Sequence, residues 1–455
     1  MIKSIGIHRL PLVLTALITA CNISAAQHVM GIRECMRYAV EHSPEMAIQS
    51  ADNNDAHIDR RTAILSAFTP EISGQTYAYS NFGRSIDPET NTYKSLTSFH
   101  NGYSANAGID LFNGFRAINN MKVTKTAIAM GLSKEQQTID RICLAVMEAY
   151  CNAVYYENMM ENVASQVRTA ESSLELAERQ EKLGQKSHAD VVEMKASLAD
   201  KEYQLTGVQN SYKDAMLTLR VLMMWPMDEN FAIDNGFISQ GPPVLTYAAD
   251  TVGMIRHAAS WNPSAAIAKG ALEQARTRLR TAKWQTLPSL SLHGGWSTTF
   301  YTYPNDPGYT TTPYRSQFTA NMGEYVQISM NIPIYSRLCR QASIKKSKND
   351  LARAQASYDK AIKEVEAEVV RAVNDRDGAA KAYLQAERRL EVQKEAFHIN
   401  TMKLEQGLIS PIEFRTASDN YLNAQAERLN SILQFYLKDS IVKYYNGTPY
   451  MEQHH

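Results

Sequence analysis

The chain is poor in cysteine, carries no net charge, and lacks any late hydrophobic run long enough to form a membrane-spanning helix. Its five cysteines among 455 residues show no CxxC spacing. Cys143 and Cys151 would lie about 12 Å apart along one helix, too far for a disulfide, so buried or unpaired thiols are expected. Lysine plus arginine number 47, as do aspartate plus glutamate. That balance removes the simplest argument for a nucleic-acid partner. The eleven histidines are scattered and show neither HxxxH nor HExxH spacing. Gly184-Gln185-Lys186-Ser187 looks superficially like the end of a phosphate loop, but glycine and lysine are not adjacent and no strand precedes them. No catalytic, metal or nucleotide constellation is present, so neither an enzyme nor a bound cofactor is expected. Proline is absent from 115–182 and from 337–406, where glycine occurs only at Gly131 and Gly378.

What is present begins with an export signal. Lys3 and Arg9 precede the apolar run Leu10 to Ala20, and Ser24-Ala25-Ala26 offers a small-x-small cleavage site. This predicts a signal peptide over 1–26. A rival reading takes Ile18-Thr19-Ala20-Cys21 as a lipobox, with Cys21 becoming an acylated N-terminus.

The rest is a duplication. Leu111-Phe112-Asn113-Gly114 answers to Ile334-Tyr335-Ser336-Arg337, and Gly184-Gln185-Lys186-Ser187-His188-Ala189-Asp190 answers to Gly407-Leu408-Ile409-Ser410-Pro411-Ile412-Glu413. Both pairs share an offset of about 223 residues, so roughly seventy residues between them align without a gap. Ser43-Pro44 and Asn262-Pro263, then Thr69-Pro70 and Leu287-Pro288, extend the correspondence upstream. The chain divides into a first repeat over 27–250 and a second over 251–455. Each repeat reads as a helical stretch, two strands around a loop, and two very long helices.

The first helical stretch runs from about Val29 to Ala67, and Thr69-Pro70 stops it. Four segments then alternate with period two, at about 71–83, 101–113, 289–302 and 322–334. Leu290, Leu292, Trp296 and Phe300 oppose Ser291, His293, Ser297 and Thr299; Val326, Ile328, Met330, Ile332 and Ile334 oppose Gln327, Ser329 and Asn331. Strict alternation places one face on something apolar and the other in water. The segments are about 10–13 residues long, twice the ordinary strand. They also carry rings (Tyr77, Tyr79, Phe82, Tyr103, Trp296, Tyr301, Tyr303) of the kind that form interfacial girdles. Polar loops are expected over 84–100 and 303–321. These are the properties of membrane barrel strands. Open edges cannot face lipid, and four strands cannot close, so several copies must share one barrel. Two copies give eight strands around a filled interior, and three give twelve around a passage.

The proline-free runs, about 68–70 residues each, would span about 100 Å as helices. Partners return over 187–222 and 411–445. Narrow stripes (Ile139, Ile142, Val146, Tyr150, Ala153; Tyr358, Ile362, Val365, Val369, Val373) suit coiled-coil packing with neighbours on both flanks.

These features together resemble the TolC family of outer-membrane efflux proteins. The marks are the Leu111-Phe112-Asn113-Gly114-Phe115 strand exit, its Pro333-Ile334-Tyr335 counterpart, and the two Gly-x-x-Ser-x-x-acid turns. The resemblance implies a mainly α fold of duplicated long helical hairpins forming a tunnel. Each chain would add four strands to a homotrimer's twelve-stranded barrel. It implies location in the outer membrane of a Gram-negative-type bacterium, extending into the periplasm, with a periplasmic adaptor and an inner-membrane pump as partners. It further implies that the glycine turns, Gly184 with Gln185 and Gly407 with Leu408, dock the adaptor. Ser187 and Ser410 are expected helix N-caps. In the family the second-repeat acid lines the tip constriction, and Glu413 matches it, with Asp190 its counterpart. Three such acids around an axis would repel and raise one another's pKa. Thr416 stands where the family has a second acid, and Ile409 where some members have an arginine. The expected role is an exit duct for small molecules. A type I protein-secretion duct, a metal-efflux duct, or a periplasmic coiled-coil scaffold remain the alternatives.

Overall fold

The computed structural model describes residues 28–86, 91–236 and 250–453. The expected signal peptide, with Cys21 and its alternative lipobox, lies outside the described residues, as do residues 237–249 just before the expected repeat boundary between 250 and 251.

Strand β1 (His28–Met30) leads into α1 (Ile32–His42) and α2 (Pro44–Phe68). The helical stretch expected from about Val29 to Ala67 begins instead at Ile32, because Val29 and Met30 belong to β1, and it is divided in two. Pro44 begins α2 as its first residue, and Ser43, in extended geometry, caps it by accepting from the Glu45 amide at 3.2 Å. The second half repeats the device, with Asn262 capping α6 (Pro263–Trp284) after α5 (Thr251–Trp261).

Strand β2 (Glu71–Ile86) pairs antiparallel along its whole length with Tyr93 to Gly108 of β3 (Tyr93–Asn113). The expected loop over 84–100 is therefore mostly strand. β5 (Ser289–Thr302) follows α6, and β6 (Gly323–Asn331) completes a four-stranded sheet in the order β2-β3-β5-β6. β6 stops short of the expected 334 because Ile332-Pro333 follows, and proline has no amide to donate to a ladder. Between β5 and β6 the polar stretch contains a short helix, α7 (Tyr314–Ala320). β6 pairs only with Ser289 to Ser297 of β5, so the outer part of β5 is left open on that side. α7 closes it with side chains. Gln317 accepts from the Tyr301 amide at 3.0 Å and donates to its carbonyl at 2.9 Å, imitating a strand neighbour. Asn321 donates to the Thr299 carbonyl at 2.7 Å.

The long helices are α3 (Arg116–Lys182) and α8 (Cys339–Glu405), 67 residues each, returned by α4 (His188–Met223) and α9 (Pro411–Tyr445). At about 1.5 Å per residue, each long helix extends about 100 Å. Both leave the sheet through two consecutive left-handed residues, Gly114-Phe115 and Arg337-Leu338. Gly114 is required: a Cβ there would lie 2.6 Å from the Trp284 carbonyl oxygen.

The main core lies partway along the helices, where α3, α8, α9, α1 and α5 converge on the parallel pair β1 and β4 (Phe231–Ile233). The predicted stripes point into it: Ile142, Val146, Tyr150, Ala153, Val365, Val369 and Val373 are all buried. The Tyr150 hydroxyl reaches the carbonyls of Asp234 at 2.5 Å and Met30 at 3.2 Å, tying β1 and the end of β4 to α3. The Tyr444 hydroxyl donates to Asp140 at 2.6 Å. Burial raises the Asp140 carboxyl above its ordinary value, against the opposing pull of Tyr444 and Gln136. Burial also pushes the Cys35 and Cys143 thiols up to about 12, which keeps them protonated and inert. The described cysteines are all free.

Candidate functional site: strand face and helical tips

The strand register sorts the sheet into two chemically different faces. One face carries Ile72, Ala107 and Val326, then Ile109, Leu292 and Ile328, then Leu290 and Met330, each set aligned across the strands. The other carries Gln75, Ser104 and Ser297, Asn106, Gln327, and Ser291 opposite Ser329. The polar face is self-bonded in part: the Ser291 and Ser329 hydroxyls meet at 2.9 Å and Tyr325 donates to Asn106 at 3.2 Å. Apolar side chains such as Val326, Ile328 and Met330 stand exposed on the first face of the single chain. An exposed apolar face of this extent on a sheet with two open edge strands needs a membrane and further strands.

The rings do not all form the expected girdle. Phe82, Tyr103 and Trp296 share the apolar face, but Tyr77, Tyr79 and Tyr301 sit on the polar one, in line with His100. Tyr79 and His100 stack at 4.9 Å. Strand parity decides the face, whatever the side chain's affinity for an interface.

At the far end of the helices the two glycine turns have the same construction. Leu183 is the C-cap of α3, Gly184 is left-handed at φ +76°, and the Gln185 amide donates to the Gln180 carbonyl at 2.8 Å. Gln406 is the C-cap of α8, Gly407 has φ +73°, and the Leu408 amide donates to the Lys403 carbonyl at 2.8 Å. Each is a Schellman closure, which satisfies carbonyls that a helix end leaves orphaned.

Ser187 and Ser410 cap the returning helices, each in a reciprocal box with the acid three residues on. Glu413 accepts from the Ser410 amide at 2.8 Å and hydroxyl at 3.0 Å, while its own amide donates to the Ser410 oxygen at 3.3 Å. Asp190 does the same with Ser187, at 3.1 and 2.8 Å. Within one chain the effect on Glu413 is opposite in sign to the expected repulsion. The Ser410 amide first, and then its hydroxyl, hold the carboxyl below its ordinary value. Gln185 and Leu408 are exposed at the extreme tips, beside exposed Leu183 and Ile412.

The two hairpins are tied side by side. Ala177, Val191, Met194, Leu404 and Phe414 form a small apolar cluster just behind the turns. Arg415 pairs with Glu193 at 3.1 Å, and Ser418 donates to Gln166 at 2.6 Å. Lys201 is buried and pairs with Asp419 at 2.5 Å. The pair joins residues far apart in the chain and is not marked by any local motif, although Lys201 falls on the same α4 stripe as buried Val191, Met194 and Ser197. A lysine in a buried stripe is the signal that was available.

Among the described residues no group of three or more histidine, cysteine or acidic side chains is arranged to hold a metal ion. Among them, too, no helix is long and apolar enough to cross a membrane.

Comparisons with known proteins converge. The family model described as outer membrane efflux protein matches residues 39–223 and 254–436. The pyoverdine export outer membrane protein OpmQ of Pseudomonas putida is 22% identical over 223 residues, 48% of this chain and 46% of OpmQ. The chain thus spans about half the length of this curated relative. The outer membrane protein VceC of Vibrio cholerae superposes with a TM-score of 0.73 at 16% identity, covering 91% of this chain and 96% of VceC. CusC superposes with a TM-score of 0.76 at 15% identity, covering 91% and 92%. These structures share the fold: a strand sheet set on long, duplicated helical hairpins. With both halves of the chain matched by one family model, the protein belongs to the family of outer membrane efflux proteins.

Proposed function

We propose that three copies of this chain form an outer-membrane exit duct that passes small molecules to the exterior. The observation that carries the reading is the two-faced, open-edged sheet set on 67-residue helices. Three such sheets give twelve strands, enough to enclose a passage, with the apolar face to lipid and the polar face to the bore. The helices continue that bore for about 100 Å on the periplasmic side. The similarity to a pyoverdine export protein supports a small-molecule cargo. Energy enters from an inner-membrane pump through a periplasmic adaptor. Gly184, Gln185, Ser187, Gly407, Leu408 and Ser410 form the docking tips, and Glu413 with Asp190 edges the constriction.

The test is purification from outer membranes followed by planar-bilayer recording. Heat-modifiable trimers with stepwise channel openings are expected; a soluble elongated dimer without conductance would sink the duct in favour of a scaffold. Glu413→Ala should raise leak through the closed channel or change its cation preference. Unchanged conductance and selectivity would remove Glu413 from the constriction.

A further inference from the structure

Each of the three strand–strand ladders in the sheet carries one aromatic ring directly opposite a glycine, and all three pairs lie on the polar face. Tyr77 faces Gly102 across β2 and β3, His293 faces Gly108 across β3 and β5, and Tyr325 faces Gly295 across β5 and β6. The rings occupy the space that a side chain on the glycine would fill. A Cβ on Gly102 would lie 2.2 Å from Tyr77 Cζ, one on Gly108 2.8 Å from His293 Nδ1, and one on Gly295 2.5 Å from Tyr325 Cε1 and 2.6 Å from Oδ1 of Asn106, which bonds that ring's hydroxyl. These distances are far inside van der Waals contact. Gly102 is buried even though it faces the water side, because the Tyr77 ring covers it. None of the three glycines has a left-handed backbone, so conformation does not call for glycine at any of them. Ring clearance does.

We propose that Gly102, Gly108 and Gly295 are bore-clearance residues: they let Tyr77, His293 and Tyr325 lie flat against the barrel wall, and so widen the bore at the levels of those three rings, below the Tyr79–His100–Tyr301 row. The inference rests on the duct reading above, in which the polar face lines the bore. A side chain in a barrel strand normally stands roughly perpendicular to the sheet. Upright rings from three chains would project nine bulky groups into a twelve-stranded bore. Recessing each ring onto a glycine keeps the apolar ring surface packed and the passage open. The ring is the movable partner. An alanine at the glycine evicts the far end of a side chain, leaving the backbone in place, and the wall behind the ring leaves it only the bore to enter.

Asp110 is exposed, on the polar face, and lies nearer the helices than any of the three rings, so it can report on passage from outside. In a Cys339→Ser background carrying Asp110→Cys, intact cells are labelled from the exterior with a small charged maleimide and with a bulky polymer-linked maleimide. Gly102→Ala should leave the small reagent's rate unchanged and slow the bulky one several-fold. Adding Tyr77→Ala to Gly102→Ala should restore the bulky reagent's rate. Gly108→Ala with and without His293→Ala repeats the test at a second level, should the first variant fail to yield heat-modifiable trimers. A bulky-to-small rate ratio unmoved by both glycine variants overturns the inference. No labelling of the parent Asp110→Cys protein by the small reagent overturns the duct reading, and the clearance role with it.

Discussion

Single residues in this protein are most constrained where the backbone turns left. Gly407 has a positive φ and open space around its would-be Cβ, so any cost of substitution there comes from the backbone alone. Gly407→Ala should destabilise the tip by about 1–2 kcal/mol. Gly378, inside α8 with equally open space, gives the opposite result, since Gly378→Ala should stabilise by about 0.5–1 kcal/mol through helix propensity. Thermal melting followed by circular dichroism reads both signs. Glu413 brings a pH dependence at the same scale. Its carboxyl is held below the ordinary 4.5 by Ser410, so the folded chain prefers the charged form. The capping contribution is complete above that ordinary value and is lost as pH falls through the lowered one. Hydrogen-exchange protection at the start of α9 should fall on acidification, and Glu413→Gln should flatten the response. Equal pH profiles for the two proteins would contradict the capping account. The capping box was legible because Ser-x-x-acid is a local pattern. Its electrostatic sign was not, because it depends on which donors reach the carboxylate.

Elements follow the same division. The long helices follow from the absence of proline, and their observed ends lie within two residues of those read from composition. Strand identity followed from period two, yet strand length did not: β3 begins at Tyr93 where a polar loop was expected. Lys, Ser, Thr and His there look like loop residues, but pairing with β2 holds them extended along the full register. The most hidden element is α7. Its Gln317 serves both backbone groups of Tyr301 where β6 does not reach. Gln317→Ala strands an N–H and a carbonyl at an unpaired edge and should cost about 1–3 kcal/mol. The temperature at which the assembled protein dissociates in detergent should drop accordingly. No change would mean that solvent replaces the glutamine.

At the scale of the whole molecule the sheet and the helices set different demands. The sheet has two open edges and an apolar face, so it is complete only with copies and lipid around it. Ile328 and Gln327 are sequence neighbours on opposite faces. Arginine at the lipid face of a barrel costs about 2–4 kcal/mol near the midplane, while bore positions accept charge. Ile328→Arg should therefore reduce assembled trimer in outer membranes, and Gln327→Arg should assemble and alter ion selectivity instead. Equal trimer yields would reverse the assignment of faces. The main core, by contrast, is closed within one chain, with β1, β4 and the Tyr150 and Tyr444 hydroxyl bonds gathered around it.

The sequence by itself determined the periods, the helix lengths, the two sheet faces and the paired glycine turns. Each of these depends on residues a few positions apart, so the pattern can be read along the chain. Only the tertiary structure decided which rings lie over glycines, that Gln317 substitutes for a strand, that Lys201 is buried against Asp419, and that β1 finds β4 across some two hundred residues. Those contacts join positions far apart in sequence, and their energies come from register, burial and distance, which no local pattern of residues records.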